Sequence, residues 1–218
     1  MKHTHPLYGD GVGGVTLLHY SGNDLSAVNS ARVSFNRESE VLDEKDKKLL
    51  RYLAKNQHTS PFEHCAVTFK ISVPLFVARQ WMRHRTLSFN EISRRYTSEN
   101  IAFYSPAFFY YQSEDNRQGR DEVHKGSDHF KLLFDNCVDE SFLVYEHLIE
   151  AGISREQARM VLPASLYTHF IVSGNLLNWI KFIKLRSDEH AQEEIRHASD
   201  TILNILRTLY PETLKAWF

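Results

Sequence analysis

The segment from Arg79 to Tyr96 constrains this chain more than any other, because it concentrates positive charge that something must neutralise. Its sequence, RQWMRHRTLSFNEISRRY, contains five arginines, one histidine, a single carboxylate (Glu91) and no lysine. A guanidinium is permanently charged and donates hydrogen bonds in a planar fork that fits phosphate oxygens. Clustered guanidinium groups repel one another unless anions lie between them. We therefore predict an anion site of the kind that holds a nucleotide; the alternative is a solvated basic face with a few ion pairs.

The first part of this segment has the pattern of a helix that lines a pocket. Pro74 suits the first turn of a helix, where its missing N–H is not needed. On a helix from Pro74 to about His84, Arg79 and Arg83 lie one turn apart, and Gln80 is beside Arg83. The apolar residues between them indicate that the other faces are buried; they are Leu75, Phe76, Val77, Ala78, Trp81 and Met82. Beyond this helix the chain becomes small and polar, and we predict a loop that wraps a ligand.

Composition places the arginines in an otherwise neutral globular protein. The chain has 218 residues, of which 42% are hydrophobic and 24% are charged, and its formal net charge is −1. A protein that coats nucleic acid is usually basic as a whole, so we predict no nucleic-acid partner. Two cysteines, no apolar leader and no run of membrane-spanning length favour a cytoplasmic protein that does not bind membranes.

Short strands separated by helices, without a βαβ rhythm, predict an α+β fold with long helices and a small mixed sheet. We expect one catalytic domain over residues 1–218, with a flexible N-terminal arm at 1–14 and a mobile insertion at 112–126. The predicted strands are 15–20, 65–73 and 165–173, and the other predicted helices are 24–33, 43–56, 127–150, a short one after Ser154, 175–186 and 188–209. We expect Asp24 and Ser154 to be N-caps, and Gly152 to lie just past a helix end.

The arginine segment also resembles a known signature. Arg83-His84-Arg85, seven residues, Ser93, one residue and Arg95 match the R-H-R-x7-S-x-R pattern of the flavin-dependent thymidylate synthases. The similarity extends over about residues 22–197 through the segments GNDLSAVNSARVSF (22–35), HTSPFEH (58–64) and ARMVLP (158–163). The resemblance implies an enzyme that makes dTMP from dUMP, with FAD as cofactor and with NADPH and methylenetetrahydrofolate as co-substrates. It also implies a homotetramer whose active sites are shared between subunits.

The same resemblance assigns roles to individual residues, and it makes Arg186 the catalytic cation. The residues assigned to dUMP are Gln80, Trp81, Met82, Arg83, Glu91, Ile92, Ser93, Arg94, Arg95, Arg159 and Arg186. The residues assigned to FAD are His58, Ser60, Arg83, His84, Arg85, Glu91, Asn175, Lys181 and His190. His190 is equally well placed for a simple capping role. Arg159 also stands out without the resemblance, because a guanidinium in an apolar run needs an anionic partner.

Two positions depart from the family pattern. Leu177 stands where the family often has the arginine of an Asn-x-Arg sequence that begins at Asn175, and Lys181 stands where other members have His or Asn. With leucine at position 177, one cationic contact to FAD is either missing or supplied by another residue. Lys181 is a candidate for that residue because of its charge. Both changes concern the affinity for FAD and not the type of reaction.

Methylation at C5 of uracil requires that carbon to become nucleophilic. One route adds a thiolate at C6, but Cys65 lies in a predicted strand and Cys137 in a predicted helix, both distant in sequence from the arginines. The other route ionises uracil N3 beside a fixed cation, so that negative charge builds up toward C5. We expect the second route, with Arg186 as the cation that the resemblance assigns and without a cysteine nucleophile.

Two other interpretations remain. A non-enzymatic nucleotide- or RNA-binding protein would use the same arginines, although the neutral net charge and the lack of an aromatic-basic repeat disfavour it. Metal ligands would have to come from His58, His64 and Cys65, or from Glu194 and His197, but neither set has the matching second pair that such sites need. We therefore predict no metal and interpret Glu194 and His197 as a surface i,i+3 contact.

Overall fold

The computed structural model describes residues 3–218, which form strands and helices in the proportions expected of an α+β protein. The strands are β1 (Thr4–Pro6), β2 (Gly14–Ser21), β3 (Ala66–Pro74), β4 (Ser88–Glu91), β5 (Tyr110–Gln112), β6 (Arg120–Val123) and β7 (Tyr167–Asn175). The helices are α1 (Asp24–Arg32), α2 (Glu44–Lys55), α3 (Leu75–Trp81), α4 (Ser127–Glu150), α5 (Arg155–Ala158), α6 (Leu176–Arg186), α7 (Glu193–Leu209) and α8 (Pro211–Trp217). Single 3-10 turns lie at Val33–Phe35, Ser60–Glu63 and Arg159–Val161. The predicted α+β class is confirmed.

Five strands form one sheet in the order β1-β2-β3-β7-β4. Every pairing in this sheet is antiparallel, so the sheet is not mixed as we predicted. The central strands β3 and β7 pair along their whole length, from Ala66 opposite Asn175 to Pro74 opposite Tyr167. Because they are antiparallel, the segments that leave the end of one strand meet the segments that enter the other.

Strand β3 alternates as its sequence predicts, and its inner face is part of the hydrophobic core. The side chains on that face are fully buried: Val67, Phe69, Ile71 and Val73. On the opposite face Lys70 is exposed. The ring of Phe69 meets the ring of Trp179, in α6, edge to face at 5.0 Å. Full burial of each such side chain contributes about 1.5–3 kcal/mol, so the helical layer is held firmly on the sheet.

Helix α6 begins where the sequence predicts. The side-chain oxygen of Asn175 accepts a hydrogen bond from the N–H of Asn178, which is the contact of an N-cap. Gly174, just before it, has no room for a side chain, because a Cβ there would collide with Leu87. The amide nitrogen of the Asn178 side chain donates to the carbonyl of Thr86 at 3.2 Å. The chain around Leu87 is therefore held against the start of α6.

The longest helix, α4, has the bounds that the sequence predicts. Gly152 follows it with a φ of +80°, as expected for a residue just past a helix end. The buried residues of this helix are Ser127, Val138 and Tyr145. Large apolar side chains of α4 remain exposed: Phe130, Leu132, Leu133, Leu143 and Val144. The helix thus presents an apolar surface that the described residues do not cover. Among those residues, no helix combines the length and the hydrophobicity that a membrane span requires.

The polar N-terminal segment is not the loose arm that we predicted. Residues Thr4–Pro6 pair with β2, and Leu7 is 3% exposed. Asp10 accepts a hydrogen bond from the hydroxyl of Tyr167 in the central strand. These contacts attach residues 4–14 to the sheet, while residues 1 and 2 lie outside the described residues.

The segment at 112–126, which we predicted to be a mobile insertion, contains a paired strand. It supplies β6, which forms a separate antiparallel hairpin with β5. The guanidinium of Arg120 lies 4.3 Å from the centre of the Tyr110 ring and forms ion pairs with Glu193 and Glu194 of α7. The hairpin is therefore fastened to the start of α7.

Several helix ends differ from the prediction because tertiary contacts set them. Asn23, and not Asp24, caps α1; the Asp24 carboxylate instead accepts from two backbone N–H groups at the start of α8. Pro74 ends β3 and precedes α3, which stops at Trp81 and not at His84.

Two further helix starts were also predicted wrongly. The side chain of Ser154 makes no capping hydrogen bond, so the predicted capping box is absent from this end of α5. Helix α7 begins at Glu193 and not at 188.

Candidate functional site

The end of α3 is anchored by Trp81. Its indole is fully buried, stacks on Phe182 of α6 at 4.7 Å and meets Phe170 of β7 at 5.4 Å. The side chain is therefore part of the core, as the apolar pattern of α3 predicts, and only the main chain of Trp81 is left to contact a nucleotide. Burial of the indole also fixes the turn in which the N–H of His84 donates to the Trp81 carbonyl.

Arg186 lies at the last position of α6 and reaches back to this turn. Its Nε donates to Nε2 of His84 at 3.0 Å, and its Nη2 donates to the carbonyl of Gln80 at 2.8 Å. Within residues 3–218 its Nη1 has no hydrogen-bond partner. The guanidinium is thus half-buried and fixed at two points, with one nitrogen left for a ligand. The Gln80 side chain is held in turn by Gln192, before α7.

His84 is neutral in this arrangement. Burial, with the nearby charge of Arg186 as a second cause, lowers the pKa of His84 to about 4. At neutral pH its Nε2 lone pair is consequently available to accept from Arg186. Nδ1 is left as the ring nitrogen that could meet the flavin predicted to bind here.

A cleft of about 790 Å³ opens beside Arg186, and we call it the Arg186 cleft. It is lined by Gln80, Arg83, Gln118, Lys184, Leu185, Arg186, Asp188, His190, Ala191 and Gln192. Three permanent cations face one carboxylate there, so the cleft attracts anions. It brings together Gln80, Arg83 and Arg186, which we assigned to dUMP, and His190, which we assigned to FAD.

A second cleft, which we call the Arg159 cleft, measures about 350 Å³. It is lined by Leu75, Glu91, Ile92, Arg94, Arg159, Met160, Leu162, Leu166, Tyr167 and Thr168. One wall is β4, which pairs with β7 where we had predicted a loop. The Thr168 hydroxyl donates to the Glu91 carboxylate, and this contact orients Glu91 at the edge of the sheet.

Arg159 is exposed, and its apolar neighbours in sequence do not bury it. Its Nε donates to the carbonyl of Glu156 at 3.4 Å. The argument that an apolar run would force an anionic partner on this residue was therefore wrong. What remains is an exposed guanidinium at the mouth of a cleft, without an ion pair to any carboxylate of the described residues.

Ser93, Arg94 and Arg95 follow β4 at the rim of the Arg159 cleft. Arg95 is exposed and forms an ion pair with Glu156 at 2.9 Å. The Ser93 hydroxyl accepts a hydrogen bond from the N–H of Arg95 at 3.3 Å. Arg94, by contrast, is 7% exposed and donates to two main-chain carbonyls.

The predicted dUMP residues are thus divided between two places. Gln80, Arg83 and Arg186 lie in the Arg186 cleft, whereas Glu91, Ile92 and Arg159 lie in the Arg159 cleft. The two clefts share no lining residue. Met82 is half-buried and lines neither of them.

The predicted FAD residues follow the outer surface of α6. Arg83 and Arg85 are exposed and form no ion pair with a carboxylate of the described residues. Lys181 is exposed on α6, whereas the oxygen of the Asn175 side chain is used as the cap of that helix. Leu177, at the position where the resemblance led us to expect arginine, is 3% exposed and belongs to the core.

His58 and Ser60 lie on the other side of the α6 N-terminus. Both are exposed at the 3-10 turn Ser60–Glu63, which contacts α6. The His58 ring meets the Tyr52 ring edge to face at 5.7 Å. Arg83, Arg85 and Lys181 are exposed cations without a carboxylate partner among the described residues, which is the chemistry needed to hold a dinucleotide diphosphate, so these residues fit FAD.

Sequence reasoning missed several residues of these clefts. Gln118 enters the Arg186 cleft from the hairpin, and Thr168 orients Glu91 from the neighbouring strand. Isolated polar residues carry no local signal for such a role. Glu194 was misread as a surface residue: it is 6% exposed and accepts a hydrogen bond from the Tyr104 hydroxyl at 3.2 Å. His197 contacts Glu193 at 3.4 Å instead.

Neither cysteine lines the two clefts. Cys65 is buried, its thiol lies 3.6 Å from the carbonyl of Asn23, and burial raises the pKa of this thiol to about 11. Cys137 is exposed on α4. Within residues 3–218, no group of three or more His, Cys, Asp or Glu side chains is arranged to hold a metal ion.

Comparison with known proteins gives consistent matches over most of the chain. Residues 16–212 match the family model described as thymidylate synthase complementing protein. The flavin-dependent thymidylate synthase of Thermotoga neapolitana is 43% identical over 205 residues, which cover 94% of this chain and 90% of that protein. The protein of the same name from Wolbachia pipientis wMel is 39% identical, over 94% of this chain and 73% of its own length.

Two of the solved structures that match are of a nucleotide methylase. PolB from Streptomyces cacaoi, a UMP/dUMP methylase bound with 5-Br dUMP, has a TM-score of 0.88 and 32% sequence identity. The match covers 98% of this chain and 97% of that one. The same methylase bound with 5-Br UMP has a TM-score of 0.84.

Proposed function

The chain belongs to the family of flavin-dependent thymidylate synthases, and on this premise we propose that it converts dUMP to dTMP. In this proposal methylenetetrahydrofolate donates the carbon, and FAD with NADPH supplies the reducing power. The observation that carries the proposal is Arg186, a half-buried guanidinium that is fixed at two points and lines a cationic cleft. Membership of an enzyme family speaks against the alternative of a non-enzymatic nucleotide- or RNA-binding protein.

Arg186 is the group that activates the pyrimidine. A fixed cation beside uracil N3 stabilises the ionised ring, and the negative charge then builds up toward C5. The two hydrogen bonds of Arg186 to His84 and Gln80 support this role, because they hold the guanidinium before the substrate arrives. A preorganised charge needs no rearrangement at the moment of reaction, which is the source of most electrostatic catalysis.

The phosphate of dUMP binds at the Arg159 cleft in this proposal. Arg159 and Arg95 are exposed guanidinium groups at that cleft and its rim, and the Ser93 hydroxyl lies beside Arg95. Because the two clefts share no residue, we propose that each active site combines the Arg186 cleft of one subunit with the Arg159 cleft of another. The exposed apolar side chains of α4 support a homotetramer, since they need a partner surface.

The residues along α6 hold FAD. Arg83 and Arg85 bind its diphosphate, with Lys181, His58 and Ser60 as further contacts. When FAD is bound, it supplies the redox chemistry of the reaction. The buried Leu177 cannot replace the missing arginine, so the affinity for FAD depends more strongly on the remaining cations. The free cysteines are compatible with a reducing, cytoplasmic location.

Anaerobic turnover tests the proposal as a whole. The purified protein, incubated with dUMP, FAD, NADPH and methylenetetrahydrofolate, is expected to form dTMP, and omission of any one of them should abolish the product. A protein that takes up FAD but forms no dTMP under these conditions would rule out the proposed function.

Replacement of Arg159 by alanine is expected to weaken dUMP binding by about 10- to 150-fold, because a charge-assisted contact to phosphate is lost. Binding of FAD should change by less than about twofold, since the Arg159 cleft contains none of the cations assigned to the diphosphate. Separate titrations with the two ligands measure this difference. Arg155→Ala, at the start of the preceding helix α5, is the matched control. Equal losses for both ligands would contradict the assignment.

Simultaneous replacement of Cys65 and Cys137 by serine is expected to leave dTMP formation within about threefold of the original rate. The buried Cys65 thiol, with its raised pKa, is not a thiolate at neutral pH, and neither cysteine lines a cleft. The assay is turnover of the flavin-loaded double variant. Loss of all activity in a folded, flavin-bound variant would point to thiolate catalysis.

A further inference from the structure

Arg94 differs from the arginines around it in what its side chain contacts. It is 7% exposed, its Nη1 donates to the carbonyl of Glu99 at 2.5 Å, and its Nη2 donates to the carbonyl of Asn100 at 3.1 Å. Its Nε is buried and has no hydrogen-bond partner in the described residues. Part of the side chain lines the Arg159 cleft, but both terminal nitrogens are already used within the protein.

The segment that Arg94 closes is a short irregular turn. The N–H groups of Tyr96 and Thr97 both donate to the carbonyl of Ser93, at 3.0 and 3.2 Å. At the far end Asn100 has a φ of +53°, a conformation that costs energy for a residue with a side chain. A turn of this kind has few backbone contacts to hold it, so the two hydrogen bonds from Arg94 are a large share of what defines its shape.

Helix α4 lies close to the turn. Tyr145 of that helix is 2% exposed and lies close enough to Arg94 to interact with its charge. Ser93 and Arg95 flank Arg94 on the exposed side, where Arg95 reaches Glu156. The guanidinium of Arg94 thus lies inside the turn, and its two neighbours face outward.

We propose that Arg94 is a positioning residue, which ties the Ser93–Asn100 turn from the inside and so presents Ser93 and Arg95 to the phosphate of dUMP. This inference rests on the proposed function. It replaces the prediction that Arg94 itself binds dUMP, because the residue is 7% exposed and each terminal nitrogen already donates to a carbonyl of the turn before any ligand arrives.

The test compares Arg94→Lys with the unchanged protein, both in the flavin-loaded form. Lysine keeps the charge, but its single ammonium cannot span two carbonyls as a guanidinium fork does. Without ligand, hydrogen exchange of the backbone amides in residues 93–101 is expected to become at least about tenfold faster. The dissociation constant for dUMP should rise by about tenfold or more, while flavin content and the rate at saturating dUMP stay within about threefold.

The control is Arg32→Lys, which alters another partly buried guanidinium, the one that pairs with Asp46. It should lower the melting temperature without changing exchange in 93–101 or the dissociation constant for dUMP. A general loss of stability is thereby separated from a local positioning role.

A second variant, Asn100→Ala, disturbs the same turn with Arg94 intact, because alanine is strained at positive φ. It should also give faster exchange in 93–101 and a higher dissociation constant for dUMP, both to a smaller extent than Arg94→Lys. If Arg94→Lys does not fold, Asn100→Ala tests whether the shape of the turn controls dUMP binding.

Two results would overturn the inference. Unchanged exchange in 93–101 together with weaker dUMP binding would make Arg94 a direct ligand. An unchanged dissociation constant for dUMP, even with faster exchange in 93–101, would mean that the turn has no part in binding. Failure of the unchanged protein to bind dUMP would instead contradict the proposed function.

Discussion

Replacement of Arg186 by lysine is expected to lower the rate of dTMP formation by about 100- to 1,000-fold, while the protein keeps its fold and its flavin. The guanidinium donates to His84 and Gln80 and still has a nitrogen for the pyrimidine. A lysine ammonium has three donors on one atom and cannot occupy all three directions at these separations. A cation of either kind is tolerated at a helix C-terminus, so stability should change little.

The loss should appear in the methylation step. Reduction of the flavin by NADPH, measured separately under anaerobic conditions, should stay within about threefold of the original rate. Arg207→Lys, an exchange of the same kind at an exposed position of α7, serves as the control and should affect neither step. Normal dTMP formation by Arg186→Lys would show that charge alone suffices or that Arg186 does not meet the pyrimidine.

Co-expression of two impaired variants, Arg186→Lys and Arg159→Ala, is expected to restore activity. If each active site combines clefts from two subunits, random assembly gives about a quarter of the sites two unaltered clefts. Turnover should therefore approach about a quarter of the original rate when dUMP is too dilute to saturate the Arg159→Ala variant. The measurement is the rate of dTMP formation by the mixed protein against the average of the two variants alone.

The matched control is a pair of variants in one cleft. Arg186→Lys combined with Arg83→Ala should not regain activity, because every site then has an altered Arg186 cleft. If the mixture of Arg186→Lys and Arg159→Ala is only as active as the average of the two variants alone, each active site does not combine clefts from two subunits.

The parts of the site that could be predicted from sequence are those with a local cause. Asn175 caps α6 because its own side chain reaches the N–H of Asn178. The alternation of β3 follows from its inward-facing apolar residues, and the ends of α4 follow from its period and from Gly152. Each of these features depends on residues a few positions apart.

The parts that could not be predicted depend on partners far away in the chain. The pattern of α3 predicts that Trp81 is buried, but its partners Phe182 and Phe170 lie about 90 to 100 positions away and have no signal in the sequence near it. The segment of β4 is polar and contains no strand signal, yet it pairs with β7 because that edge of the sheet is open. Arg94 and Arg95 are identical in type and adjacent in sequence, but one is buried and the other exposed.

The absent side chain of Gly174 has a consequence for how this enzyme tolerates change. Leu87 fills the space that a Cβ at position 174 would need, and the three residues before Leu87 lead back to His84. An enlarged residue 174 would push that segment outward and move the imidazole that holds Arg186. Position 174 thus acts as a spacer that sets the depth of the Arg186 guanidinium. In a redesign of this protein, the need for glycine at position 174 would limit which changes around His84 and Arg186 are tolerated.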